Sequence, residues 1–322
     1  MKKTIVTGGA GFIGSYLCEC LVNDGYKVYC VDNLVSGNLE NIEHLLDKSN
    51  FHFIKCNITE AVPKIEGNVD EIYDLASPAS PKDYQEIPIE TALSNSVGVH
   101  NLLELAKEDR AKFLFVSTSE VYGNPPEQPQ TEDYVGFSNP LSSRACYAES
   151  KRFGETLTFL FRKQYGLDAK IVRVFNTYGP RMRLNDGRVI PTFVCQVLTG
   201  GDMPIYGDGA QTRSFCYIED TIEGLLKMMR SECTGPINIG NPDGKISILA
   251  LAERIKKMTE SLSKIIFLPG KEDDPTNRCP DISLARKVLE WNPRYKLGEG
   301  LELTIEFFRE RITNKHLNKE EP

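Results

Sequence analysis

Apolar residues in this chain fall into short unbroken runs, separated by longer stretches in which they recur every three or four positions. The runs at 3–7, 27–31, 51–55, 71–75, 113–117 and 170–175 predict strands buried on both faces. Between the first two, the recurrence at Leu17, Leu21 and Val22 predicts a helix that stops at Asn23-Asp24-Gly25. The same period predicts helices over 87–107, with Pro88 tolerated in the first turn, and over 147–165, stopped by Gly166. Buried strands alternating with helices predict an α/β class, a Rossmann-type doubly wound parallel sheet.

After Asn176 the pattern changes. Residues 177–183, 186–188 and 207–213 read as polar loops, and strands near 214–218 and 236–239 are expected to return to the main sheet. Helices over 247–259, 283–290 and 297–311 then suggest a smaller C-terminal α/β lobe, interleaved with the first, before a polar, frayed tail over 314–322. No repeat, low-complexity segment or long linker divides the chain.

In such sheets ligands bind beyond the C-terminal strand ends. Gly8, Asp32, Ala76-Ser77, Thr118 and Asn176 all fall there. Gly9-x-Gly11-x-x-Gly14 lies between a strand and a helix, where glycines allow a tight turn and close approach of a pyrophosphate to the helix N-terminus. Asp32 ends the second strand about 20 residues further on, the position at which a carboxylate accepts from ribose hydroxyls and repels a 2′-phosphate. The expected cofactor is therefore NAD rather than NADP. The candidate cofactor-binding residues are Gly8, Gly11, Phe12, Ile13, Gly14, Asp32, Asn33, Asn57, Ile58, Leu75, Ala76, Ser77, Tyr147 and Lys151. Residues 1–175, with 214–240 returning, form the expected NAD-binding domain; 176–213 and 241–313 form the substrate lobe.

Tyr147 and Lys151 are four apart and share one helix face. A lysine and a cationic nicotinamide near a phenol favour the phenolate, a base for a sugar or alcohol hydroxyl. Thr118, at the exit of its strand, is placed to hydrogen-bond the same hydroxyl. Arg181, Arg183, Arg188 and Arg213 are candidates for a forked, charge-assisted clamp on a diphosphate.

Bulk composition narrows the partners. The 322 residues carry a net charge of −7 and a pI near 5.4, which argues against a nucleic-acid-binding surface. Nine cysteines without a Cys-x-x-Cys pair suggest a reduced, cytoplasmic protein. The four histidines lie at no ligand spacing, so no metal site is expected. The apolar run after Lys2-Lys3 is cut by Gly8-Gly9, too short for a signal peptide, and no stretch is long enough to span a membrane.

Taken together, Thr7 to Gly14, Asp32, Thr118, Tyr147 and Lys151 resemble the extended short-chain dehydrogenases/reductases that act on nucleotide sugars. Within that superfamily the chain most resembles the UDP-glucuronate decarboxylase family, which gives UDP-xylose. The matching pieces are Ser77-Pro78-Ala79-Ser80-Pro81, Ser117-Thr118-Ser119-Glu120-Val121-Tyr122-Gly123, Gly179-Pro180-Arg181-Met182, Asp186-Gly187-Arg188, Gln211-Thr212-Arg213, Asp273-Asp274-Pro275 and Arg278-Cys279-Pro280-Asp281. The resemblance implies Tyr147 as base, Lys151 as the group lowering its pKa, and Thr118 on the sugar 4-hydroxyl. It places Ser119, Glu120 and Arg278 around the glucuronate carboxylate, with Glu120 positioning a water. It implies a UDP-sugar substrate, held by Pro81, Asn176, Arg181, Arg188, Tyr206, Arg213 and Arg278, and a homodimer paired through a four-helix interface. Departures stand at Ala145 to Ser150 around the base, at Ser142-Ser143, at Asn57 where Asp is common, and at Asp74 where Asn is usual. Related alternatives are a 4-epimerase, a 4,6-dehydratase, for which Ser119 is a poor acid, another C4 oxidoreductase, and a non-enzymatic cofactor sensor.

Overall fold

The computed structural model describes residues 1–125, 128–270 and 276–317, with side chains to 314. All six predicted runs form strands: β1 (Lys3–Thr7), β2 (Lys27–Asp32), β3 (Phe51–Lys55), β4 (Glu71–Asp74), β5 (Lys112–Thr118) and β6 (Ala169–Val174). With Ile237–Ile239 they make one seven-stranded sheet in the order Ile237–Ile239, β6, β5, β4, β1, β2, β3. Every pairing in it is parallel. Both faces are covered, so neighbouring residues on one strand enter different cores. Ile5, Phe113 and Phe115 pack on one side, and Val6, Leu114 and Val116 on the other. This two-sided burial is why the strands read as continuous apolar runs.

Strand order reverses between β1 and β4, which opens a crevice at their C-terminal ends. There the Thr7 hydroxyl donates to Asp74 Oδ1 at 2.7 Å. The Ala76 amide reaches the same carboxylate at 3.3 Å.

Three elements differ from the reading of the sequence. The helix expected over 87–107 is broken into Pro88–Leu93, a π turn at Ser94–Gly98, and Val99–Asp109, preceded by a short helix at Pro81–Glu86. Tertiary contacts hold the π turn: Ser94 Oγ donates to Ala76 O at 2.7 Å and Asn95 Nδ2 to Ser150 Oγ at 3.1 Å. The stretch near 214–218 does not join the main sheet. Thr212–Ser214 pairs with Lys245–Ser247 and Asn277–Arg278, and Cys216–Tyr217 with Thr177–Tyr178, because the 177–217 segment forms its own small sheets above the crevice. Only Ile237–Ile239 returns, following the helix Ile218–Arg230. The last helix runs over Leu297–Leu317, beyond the expected end at 311; the rest of the expected tail, 318–322, and Asp273-Asp274-Pro275 lie outside the described residues. No helix among the described residues is long and apolar enough to cross a membrane.

Candidate active site

The loop after β1 is shaped by close backbone approach. Gly8 has φ +65° and lies so near β4 that a Cβ there meets Leu75 O at 2.7 Å. A Cβ on Gly14 meets Gly8 O at 2.2 Å, which no side chain tolerates. The helix Phe12–Asn23 thus starts against the crevice with Gly11 at its N-cap. At the tip of β2 the Asp32 carboxylate accepts from Ala10 N at 3.0 Å and Leu34 N at 2.8 Å. Burial raises its pKa, opposed by the Leu34 and Ala10 amides. Asn57 closes an Asx turn, accepting from Thr59 N at 3.2 Å.

One cavity of about 1570 Å³ takes in every candidate residue. Gly8, Gly11, Asp32, Asn33, Asn57 and Ser77 line it together with Thr118, Tyr147 and Lys151 and with Pro81, Asn176, Arg188, Tyr206, Arg213 and Arg278. Its size exceeds the ~300–1,000 Å³ of a single small-ligand site and suits two nucleotides. The glycine cradle and buried Asp32 fit the diphosphate and ribose of a dinucleotide.

Tyr147 and Lys151 sit in the first two turns of the helix Ala145–Tyr165, one above the other, and both are buried. Burial pushes the Tyr147 phenol up to about 12; a hydrogen bond with Thr118 and the charges of Arg188 and Arg278 work against it, and Glu120 adds to it. Lys151 does not bond the phenol oxygen. Its ammonium donates to Val116 O at 2.9 Å and lies 4.7 Å from the centre of the Phe115 ring. Burial lowers its pKa to about 8, partly offset by Asp74 and Glu155.

Glu120, in the single turn Ser119–Tyr122 after β5, is bracketed by two arginines. Arg278 Nη1 donates to Oε1, Arg144 Nη2 donates to the same oxygen at 2.9 Å, and Arg144 Nε to Oε2 at 3.3 Å. Burial would raise the Glu120 pKa, but Arg278 and then Arg144 hold it well below the usual carboxylate range. Two guanidinium groups thus meet on one carboxylate in a largely buried site. Arg144 escaped sequence reasoning, although it stands three residues before Tyr147, where the helix entry turns it back toward β5.

The other arginines are each held by an acid or carbonyl. Arg188 bonds Asp186 at 2.5 Å and 2.8 Å, Arg183 pairs with Asp83, and Arg213 donates to Thr212 O at 2.9 Å. Arg181 turns toward the first helix, paired with Glu19 and lying 4.2 Å over the Tyr16 ring. Asn176 Nδ2 donates to Ser214 O at 3.3 Å. Tyr84 was also missed by sequence reasoning. Its ring lies parallel to that of Tyr147, centroids 5.1 Å apart and planes 4° apart.

Residues 5–304 match the family model described as GDP-mannose 4,6 dehydratase. The chain belongs to this extended short-chain dehydrogenase/reductase family. Among its relatives, the chain is 45% identical to a Danio rerio protein named UDP-glucuronic acid decarboxylase 1, over 99% of this chain and 75% of that one. A UDP-N-acetylglucosamine 4-epimerase from Methanobrevibacter ruminantium M1, solved with UDP-N-acetylmuramic acid, is similar with a TM-score of 0.89 and 31% identity, covering 96% of this chain and 99% of that one. A UDP-glucuronic acid 4-epimerase from Bacillus cereus, solved with UDP-glucuronic acid and NAD, is similar with a TM-score of 0.85 and 30% identity, over the same 96% and 99%. Members of this family thus share the present fold almost end to end.

Proposed function

We propose that this extended short-chain dehydrogenase/reductase is an NAD-dependent UDP-glucuronate decarboxylase, a carboxy-lyase that gives UDP-xylose through a 4-keto intermediate. The observation that carries the reading is the Arg278–Glu120–Arg144 cluster, two guanidinium groups on one carboxylate beside Tyr147 and Thr118. It suits a sugar that bears a carboxylate next to the carbon whose hydroxyl Tyr147 faces. The relatives named as UDP-glucuronic acid decarboxylases support the same sugar.

In this reading the glycine loop, Asp32 and the Leu75 to Ser77 backbone hold NAD, which when bound supplies the oxidant at C4 and later the reductant that restores it. Tyr147 takes the proton of the 4-hydroxyl, with Thr118 fixing that oxygen. Positive charge near the phenol, from Arg188 and Arg278 and from the nicotinamide when present, offsets the burial that opposes the phenolate. Lys151, anchored on Val116 O, orients the ribose side of the site and keeps a cation behind it. The C4 ketone then lies β to the carboxylate, so loss of CO₂ leaves an enolate whose charge falls on the C4 oxygen. Thr118 and protonated Tyr147 donate to that oxygen and stabilise the charge as it develops. Glu120 positions the water that protonates C5. Asn176, Arg188, Tyr206 and Arg213 hold the UDP. Residues 1–175 with the returning strand bind the dinucleotide, and 176–213 with 241–313 the nucleotide sugar.

The protein acts as a homodimer in this reading. Ile89, Leu93, Val97, Phe153 and Leu160 are exposed on helical segments that pack against each other, an apolar face of the kind a second copy covers. Light scattering of the protein and of Phe153→Asp tests this; a monomeric parent protein contradicts it.

A 4-epimerase acting on UDP-glucuronate is the second reading, favoured by the likeness to the Bacillus cereus enzyme. Incubation with NAD⁺ and UDP-glucuronate, with products weighed by mass spectrometry, separates the two: a pentose with release of CO₂, or a hexuronate of unchanged mass.

A further inference from the structure

Two buried polar atoms beside Glu120 make no hydrogen bond among the described residues: Tyr84 Oη and Arg278 Nε. Tyr84 is 1% exposed and Arg278 2%, yet both line the cavity. A buried hydroxyl without a partner costs free energy, so its retention calls for a partner that arrives from outside the chain. Tyr84 is rigidly placed. Its helix begins at Pro81, its amide donates to Ser80 O at 3.0 Å, its carbonyl accepts from Cys146 Sγ at 3.4 Å, and its ring stacks on Tyr147. The charges around its hydroxyl are those of Arg144, Glu120, Tyr147 and Arg278, the walls of the carboxylate pocket.

We infer that Tyr84 is a substrate-positioning residue whose hydroxyl donates to the C6 carboxylate of the sugar, an inference that rests on the proposed reaction. The geometry suits the chemistry. Decarboxylation requires the C5–C6 bond to stand perpendicular to the plane of the C4 ketone, so that its electrons flow into the carbonyl. Tyr147 fixes the C4 oxygen. A second phenol stacked flat on the first is held at a fixed distance from it, and so fixes the carboxylate relative to the C4 oxygen. Burial keeps Tyr84 protonated, so it donates throughout the working pH range. It is also neutral, so it orients the carboxylate without holding back the negative charge that must leave it, as a third cation would.

Tyr84→Phe tests this, since it keeps the stacked ring and removes only the hydroxyl. Decarboxylation of UDP-glucuronate should fall about ten- to a hundredfold, the usual worth of a hydrogen bond to a charged group. Affinity for UDP-glucuronate, by calorimetry, should fall by about tenfold or more. UDP-xylose lacks the carboxylate, so its affinity and its deuterium wash-in at C5 in heavy water should stay near those of the parent protein. The ligand-free variant should melt no lower than the parent, because no internal bond is lost. Parent-like handling of UDP-glucuronate, equal losses with both sugars, or a lowered melting temperature each overturn the role of Tyr84 and leave the decarboxylase reading intact. A parent protein that releases no CO₂ from UDP-glucuronate overturns both.

Discussion

The ammonium of Lys151 donates to the carbonyl oxygen of Val116 at 2.9 Å, two residues before Thr118 on the same strand. This bond ties the helix that carries Tyr147 to the strand that carries its hydroxyl partner. Lys151→Met removes both the tie and the cation, and turnover should fall at least ~100-fold, within the range for positioned acid–base groups. The pH dependence has a definite sign. Folding lowers this lysine from 10.5 to about 8, so between those values the unfolded chain binds the extra proton. The contribution of Lys151 to stability therefore rises with pH across that window, and below about 8 the buried cation is a constant cost. Denaturant titrations of the parent and Lys151→Met from pH 7 to above 10 should show this slope in the parent alone.

Tyr147→Phe deletes one hydroxyl from a ring packed against Tyr84. The fold and the affinity for NAD should be nearly unchanged, while C4 oxidation should drop ~10²–10⁴-fold. More than about a tenth of the parent rate would place the base elsewhere.

Asp32 should make NADP bind at least ~10-fold more weakly than NAD, about 1.4 kcal/mol. Asp32→Ala should narrow that gap. It should also weaken NAD itself, because the Ala10 and Leu34 amides lose their shared acceptor. Calorimetry with both dinucleotides checks this, and equal affinities in the parent protein contradict it.

Arg278 and Glu120 should fail differently. Arg278→Ala removes the closest cation from a buried carboxylate and should destabilise the fold by about 3 kcal/mol while weakening UDP-glucuronate binding and turnover together. Glu120→Ala leaves Arg278 in place for the substrate carboxylate, so binding should persist while turnover falls. The low pKa of Glu120 also means that its contribution to stability is present at neutral pH and is lost as pH falls below 4.5 toward its folded value. Thermal melts and substrate titrations of the two variants separate these effects.

The central sheet was legible because strands buried on both faces leave unbroken apolar runs, as in Phe113 to Val116. The glycine loop, Asp32, Tyr147 and Lys151 were legible because local spacing places them. What escaped depends on contacts between distant residues. The π turn at Ser94–Gly98 is held by Ala76 and Ser150, and Cys216–Tyr217 pairs with Thr177–Tyr178 instead of with the main sheet. Arg144 and Tyr84 carry no motif of their own, and only folding brings them to Glu120 and Tyr147. The four arginines expected to form one clamp all line the cavity, where Glu19, Asp83, Asp186 and a backbone carbonyl also engage them, contacts that their spacing in the chain does not foretell.

Incubation of the protein with UDP-glucuronate and NAD⁺ in heavy water tests the proposed reaction most directly. Decarboxylation gives UDP-xylose and CO₂ with one deuterium at C5, because solvent supplies the proton that replaces the carboxylate, and no NADH accumulates. A UDP-hexuronate of unchanged mass with no deuterium at C5, or UDP-glucuronate recovered intact while another nucleotide sugar is converted, contradicts it.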